Sequence, residues 1–423
     1  MNVIDVLKER GLIEALTSEE LYSFANKPLN VYCGFDPTGE SLHLGHLVPI
    51  MVLAWFQRFG HTPVIVIGGA TGMIGDPSGK AKERTLLDEQ TLAKNIEGIK
   101  KNFHAVLDFK RKVEKPIIRN NLDWLNTYSF IEFLRDVGKY FRIGPMLAKE
   151  SVRTRLSSEE GMSFTEFAYQ LLQGYDFLYL HEHDNVTVQI GGSDQWGNIT
   201  AGIDLVRKVK GSSTYGMTFP LLTRSDGKKF GKSEEGAIWL SPDHCSPYQF
   251  YQYLYRVTDD DVIKLMKMLT FMDMEDINSY EIDMSKEDYI PNTAQKRLAE
   301  EVARMVHGDE GLKTALRITM AVAPGSQTVL DESILERIAE ELPSYTLQAK
   351  EVLDRRLVDL VVETHLLTSK RQTRNLIRNG GVYLNNEKVK DEDHMVTKKD
   401  FIKGQWLLLA VGKKNKTVIC LSD

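Results

Sequence analysis

Apolar and polar positions fall along this chain in alternating blocks. Pro63-Val64-Ile65-Val66-Ile67 is a short, β-branched run with the length of a buried strand. Val186-Thr187-Val188-Gln189-Ile190, Thr218-Phe219-Pro220-Leu221-Leu222 and the pair Ile117-Ile118 read the same way, as does the apolar entry to Tyr32-Cys33-Gly34. Between these runs the apolar period lengthens to that of helices. Two short amphipathic helices are expected within 3–24, one from about His46 to Phe59, several over 128–180, and a helical block over 246–320. Strands that alternate with helices predict an α/β fold on a parallel sheet. The pattern changes near 350, where one helix, a basic helix and a hairpin are expected over 356–389.

Composition narrows this picture. A chain of 423 residues has room for two to four domains, each with its own core. Its net charge is −6, but residues 351–423 carry 14 Lys/Arg against 10 Asp/Glu. That segment is net +4 and leaves −10 for 1–350, so any nucleic-acid surface is expected in the tail. Three widely spaced cysteines, Cys33, Cys245 and Cys420, argue against a disulfide framework and for a reducing compartment. Residues 1–16 mix acids and bases without an apolar signal core, and no run approaches ~18 apolar residues. The expectation is a cytoplasmic protein with no membrane segment.

The chemistry is concentrated in the turns. After the first strand comes Asp36-Pro37-Thr38-Gly39-Glu40-Ser41-Leu42-His43-Leu44-Gly45-His46. His43 and His46 are three apart and share one side of a helix start, with Thr38 in the turn before them. A helix N-terminus offers spare N–H groups and partial positive charge, which suits a phosphate. A metal half-site is the competing reading, but no Cys or carboxylate stands nearby at ligand spacing. The next strand runs into Gly68-Gly69-Ala70-Thr71-Gly72-Met73-Ile74-Gly75-Asp76, which fits neither the dinucleotide fingerprint nor a P-loop. Most of these glycines read as close-packing positions. Asp76 instead lies at the carboxyl end of a strand, where a carboxylate can meet a substrate ammonium. Lys80, Lys82 and Arg84 follow, either as a solvated charge run or as pyrophosphate partners.

Tyr169, Gln173 and Asp176 recur at i, i+4 and i+7 and so share one helix face. That face is a polar outer surface or a recognition surface. Gly191-Gly192-Ser193-Asp194-Gln195 opens another strand-to-helix turn, with Asp194 and Gln195 placed to bond a ribose or a carboxylate. Lys229-Phe230-Gly231-Lys232-Ser233 ends like a P-loop but has Asp226 where the upstream glycine is required. Two lysines and a hydroxyl on one loop can serve a triphosphate without that cradle. Lys370, Arg371, Arg374 and Arg378 line one side of the basic helix.

His43-Leu44-Gly45-His46 and Lys229-Phe230-Gly231-Lys232-Ser233 resemble the two signatures of class I aminoacyl-tRNA synthetases, and 32–46 with the Tyr169, Gln173, Asp176 trio resembles the bacterial-type tyrosyl branch. The resemblance implies a Rossmann-like catalytic domain over 1–222, with a helical insertion and dimer contact at about 125–180. It implies a signature loop and helical anticodon-side domain over 223–320, a linker over 321–350 and an RNA-binding module over 351–423. Thr38, His43, Lys80, Arg84, Lys229 and Lys232 (with Ser233) are implied on the pyrophosphate side. Cys33, Asp194 and His46 fall at the ribose, and Gly34 and Asp36 among the ATP contacts. Tyr32 and Asp176 fall at the substrate phenol, Asp76, Tyr169 and Gln173 at its ammonium, and Gln195 near its carboxylate. The implied substrates are L-tyrosine, ATP arriving with Mg²⁺ and tRNA(Tyr), bound by a homodimer with no protein metal ligand named. A tryptophanyl enzyme on the same fold and an inactive RNA-binding relative remain as alternatives.

Overall fold

The computed structural model describes residues 2–78, 87–159, 161–233, 236–412 and 415–422, with Lys232 and Ser233 as backbone only. The chain divides into two compact units. One holds Met1–Cys245 and Tyr253–Val306, the other Ser246–Gln252 and His307–Asp423.

The first unit is built on six strands: β1 (Ala15–Leu16), β2 (Asn30–Phe35), β3 (Thr62–Ile67), β4 (Ile117–Asn120), β5 (Val186–Gly192) and β6 (Tyr215–Phe219). Their order across the sheet is β1-β6-β5-β2-β3-β4. All neighbours are parallel except β1, which runs antiparallel to β6. The chain therefore builds outward one way through β2, β3 and β4, and the other way through β5 and β6. The switch lies between β2 and β5, and open α/β sheets bind ligands at the carboxyl ends of such strands. Central strands have both faces covered, which explains their unbroken apolar runs: Val64, Ile65, Val66 and Ile67 are at most 1% exposed. The sequence places the last strand over 218–222, whereas β6 ends at Phe219, because Pro220 has no N–H to continue the ladder.

Helix Leu47–Arg58 covers one face of this sheet, and Leu47 to Gln57 are all buried. Its start differs from expectation. His43 is extended and caps a single 3₁₀ turn, Leu44–His46, before the α-helix begins. Helices Phe164–His183 and Trp196–Lys210 pack beside β5. Arg10, at the end of helix Val3–Glu9, is 3% exposed and lies 4.3 Å over the Trp55 ring. Its guanidinium donates to the carbonyls of Lys267 (3.2 Å), Thr270 (3.1 Å) and Met272 (2.5 Å). It thus satisfies the orphan carbonyls at the end of helix Asp259–Leu269. Among the described residues no helix is long and apolar enough to cross a membrane.

Two short strands of the first unit, β7 (Lys232–Ser233) at the end of the second signature and β8 (Gly236–Ala237) just after it, pair antiparallel. The second unit holds the remaining five: β9 (Ser344–Gln348), β10 (Val382–Leu384), β11 (Glu387–Lys388), β12 (Trp406–Val411) and β13 (Asn415–Ser422). Their order is β11-β10-β12-β13-β9, with only β9 parallel to its neighbour. Val358, Val361, Ile377, Leu407, Leu409 and Ile419 form the core beneath it. The β10–β11 turn is Asn385-Asn386, both at positive φ (47° and 70°), a region Asn tolerates better than most residues. Segment 321–350, expected as a linker, contains helix Glu332–Glu341, capped by Asp331, and β9 itself. Its Pro324-Gly325 pair precedes that helix, and Pro343-Ser344 joins the helix to β9.

Candidate active site

A cavity of about 340 Å³ opens at the carboxyl ends of β2 and β5, where the topology predicts a ligand. Of the sequence-predicted residues it gathers Tyr32, Cys33, Gly34, Asp36, Thr38, His43, His46, Asp76, Tyr169, Gln173, Asp176, Asp194, Gln195 and Lys229 along one wall or another. Lys80, Lys82 and Arg84 lie outside the described residues. Lys232 and Ser233 are described only by their place in β7.

One end of the cavity is a buried polar network. Tyr169, Gln173 and Asp176 are 6%, 9% and 2% exposed, so their face of helix Phe164–His183 turns inward and is no solvent-facing stripe. The Tyr169 hydroxyl donates to Asp36 (2.9 Å), which also accepts from Thr71 (2.8 Å). Asn121 donates to Thr71 and to Asp176, each at 3.0 Å, while the Trp124 indole donates to the other Asp176 oxygen at 2.8 Å. Burial raises the Asp176 carboxyl to about 7, and these two donors and nearby Asp36 only modify that shift. Burial also pushes the Tyr32 and Tyr169 phenols well above their ordinary value, so both stay neutral donors. Gly68 is needed here: a Cβ would stand 2.1 Å from the Asp36 carboxylate. Next along the wall, Asp76 accepts from Gln195 (2.6 Å), Gln173 donates to Gln195 (3.2 Å), and Asn198 donates to Gln173 (2.9 Å).

The other end is made of turns. The His43 Nδ1 accepts from the Gly45 N–H (3.1 Å) and the His46 Nδ1 from the His43 N–H (3.2 Å). An imidazole whose Nδ1 accepts carries its proton on Nε2, so the backbone fixes both rings as Nε2–H donors. The ring centroids lie 4.0 Å apart. That arrangement favours anion binding over the metal half-site. Thr38 is exposed just beyond β2, and Lys229 is exposed on the signature loop. Cys33 is buried, and burial alone drives its thiol far above the usual range. It can contribute shape and a weak S–H contact but no thiolate.

The two signatures touch through backbone. The Leu44 N–H donates to the Ile238 carbonyl (2.7 Å) and the Leu240 N–H to that of Leu42 (2.8 Å). Gly231 has φ 83°, and a Cβ there would lie 3.0 Å from the Gly45 nitrogen. Only glycine suits both that angle and that approach.

Sequence reasoning assigned no role to Asn121, Trp124, Thr71 or Asn198. The available signal was position, since Thr71 and Asn121 follow the carboxyl ends of β3 and β4 and Asn198 follows β5. In the second unit, helix Lys370–Arg378 carries the expected basic side chains. Lys370 pairs with Asp359 (2.7 Å) and Arg378 with Glu392, while Arg371 is exposed and Arg374 half-buried.

Comparison with known proteins agrees with this geometry. Residues 25–322 match the family model for tRNA synthetases class I (W and Y), and 334–419 match that for the tyrosine–tRNA ligase SYY-like C-terminal domain. The tyrosine–tRNA ligase of Protochlamydia amoebophila is 62% identical over 422 residues, covering all of this chain and 99% of that protein. Its Escherichia coli counterpart is 45% identical over 99% of both chains. The solved structure of a C-terminally truncated Aspergillus nidulans mitochondrial tyrosyl-tRNA synthetase is 33% identical, with a TM-score of 0.67 over 74% of this chain and 92% of that one. The W and Y family model alone leaves tryptophan open, and the full-length relatives close that question: the chain belongs to the tyrosine–tRNA ligases, within the class I aminoacyl-tRNA synthetases.

Proposed function

We propose that this protein joins L-tyrosine to tRNA(Tyr) in two steps at the cavity between β2 and β5. The observation that carries the reading is that one cavity holds a buried Asp176–Tyr32 end and a His43–His46–Lys229 end. In the first step the tyrosine carboxylate attacks the α-phosphorus of ATP, and pyrophosphate leaves. In the second, the terminal ribose hydroxyl of the tRNA takes the tyrosyl group and releases AMP. No protein base is required for the first attack, because a carboxylate is already the nucleophile. Catalysis then lies in orientation and in donors aimed at charge that builds up on the phosphate oxygens.

Tyr32 and Asp176 bond the phenol, while Asp76, Tyr169 and Gln173 take the ammonium and Gln195 lies near the carboxylate. His46, Cys33 and Asp194 hold the ribose, with Gly34 and Asp36 beside it. Thr38, His43 and Lys229 face the pyrophosphate side, together with Lys80, Arg84, Lys232 and Ser233. Mg²⁺ enters as the counter-ion of the substrate ATP. Arg371 and Arg374, with Lys370 and Arg378, face the tRNA.

The protein acts as a cytoplasmic homodimer in this reading. Phe130, Ile131, Ile143 and Phe164 are 60–69% exposed within the insertion at about 125–180, a concentration of large apolar side chains that a second copy would cover. ATP–pyrophosphate exchange with each of the twenty amino acids tests the proposal. Exchange with tyrosine alone is the expected result. Exchange with tryptophan, or with none, would overturn it.

A further inference from the structure

The signature loop is held from outside itself by two side chains of the helices that follow it. The Gly231 N–H donates to the Tyr253 hydroxyl (2.9 Å), and the Phe230 ring packs edge-on against Tyr253 with centroids 5.3 Å apart. At the other end of the loop, the Ser225 N–H and hydroxyl both donate to Asp261, at 2.9 and 3.3 Å. Asp261 is 5% exposed and also accepts from Thr258 at 2.9 Å, which ties it to the start of helix Asp259–Leu269. Between these anchors lies Lys229, whose Cα pairs with Thr223 in an isolated bridge.

The two anchors are not equivalent. Asp261 stands in the first turn of its helix, where a carboxylate is favourable for the helix itself. Tyr253 has no such local duty for its hydroxyl. That oxygen accepts from Gly231, whose Cβ position would lie 3.0 Å from the Gly45 nitrogen of the first signature. Tyr253 therefore fixes the point at which the two signatures meet, two residues from Lys229.

We propose that Tyr253 is a positioning residue for adenylate formation, its hydroxyl holding Gly231 against Gly45 so that Lys229 faces the pyrophosphate side of the cavity. This rests on the reading of Lys229 given above. Because pyrophosphate is present only in the first step, the hydroxyl matters to that step alone.

Tyr253→Phe removes one oxygen and keeps the ring against Phe230, so the fold is retained. A net hydrogen bond of ordinary strength corresponds to a change of about three- to ten-fold. The expected result in the full-length protein is a fall of about that size in kcat for pyrophosphate exchange. KM for tyrosine and the rate of transfer from preformed tyrosyl-adenylate to tRNA should not change. A matching fall in both half-reactions would mean general loss of structure and would overturn the proposal. Lys229→Ala, measured alongside, separates the two levels of the argument. If Lys229→Ala slows exchange and Tyr253→Phe does not, the positioning role fails and the reading of Lys229 stands. If neither slows it, both fail.

Discussion

The two ends of the cavity are made in opposite ways. At the end proposed for the phenol, Asp176, Asn121, Trp124 and Thr71 are all at most 3% exposed, and each is held by a partner from another element. At the end proposed for the phosphates, Thr38 and Lys229 are exposed, and the histidine rings accept from neighbouring backbone N–H groups. The difference follows from what each end must do. Choosing one side chain over a near-isostere requires polar groups that suffer if left unpaired, and that penalty is large only where water is excluded. Stabilising a highly charged, well-hydrated triphosphate requires donors that can reach it and let its product go. In the proposed reading, buried groups supply selectivity and exposed cations supply rate.

Asp176→Ala is the most severe test of this contrast. It removes the acceptor for the Trp124 indole and the Asn121 amide, and each orphaned donor costs about 1–3 kcal/mol. Discrimination between tyrosine and phenylalanine should fall by about 10² or more, measured as the ratio of kcat/KM in exchange assays. A folded variant that still rejects phenylalanine as wild type does would erase the distinction between the ends. The same carboxyl gives a pH signature. Its folded-state value of about 7 lies above the ordinary 3.8, so the folded protein holds this proton more tightly than the unfolded chain. Its contribution to stability is therefore best in acid and is lost as pH rises from about 4 to about 7. KM for tyrosine should inflect near pH 7, and Asp176→Asn should flatten that inflection.

Lys229→Ala should act on the other end alone. Loss of a charge contact that strengthens in the transition state lowers kcat for adenylate formation by about 10²-fold. Tyrosine affinity, measured by equilibrium binding, should stay within about two-fold. A loss of tyrosine affinity as large as the loss of kcat would show that the ends are not separable. The smallest effect on exchange is expected from ending the chain after Val329, which removes helix Glu332–Glu341 and all of β9 to β13. A cut at Ala349 would instead leave β9 without β13. Exchange should persist, because the residues lining the cavity all lie before the cut, from Tyr32 to Phe230. Affinity for tRNA should fall, and the slope of log K against log salt should flatten by about 0.7–0.9 per lost phosphate contact.

The sequence made the phosphate end more legible than the phenol end, and the reason is range. The Gly45 and His43 N–H groups orient the His43 and His46 rings within four residues, and Lys229 and Gly231 lie within one short loop, so local spacing carries their arrangement. The i, i+4, i+7 spacing placed Tyr169, Gln173 and Asp176 on one face correctly. It could not say that the face turns inward, nor that Asn121 and Trp124 arrive from 55 and 52 positions away to hold Asp176. The tail repeats the lesson. Its hairpin turn was readable from Asn385-Asn386, whereas β9 pairs with β13, from the far end of the module.

Arg10 carries a consequence for how the protein is made. Its guanidinium waits for carbonyls 257 to 262 positions later in the chain. At ribosomal speeds of about 5–20 residues per second, that interval is roughly 13–50 s. Throughout it the Arg10 side chain, at the end of the first helix, has none of the three acceptors it will have in the finished protein. Tyr253 and Asp261 are also still to be synthesised for most of that time, so the signature loop emerges before its anchors. A nascent chain stalled before residue 253 would hold both signatures without the Tyr253 and Asp261 contacts to the second, and one stalled before residue 267 would still leave Arg10 without its acceptors.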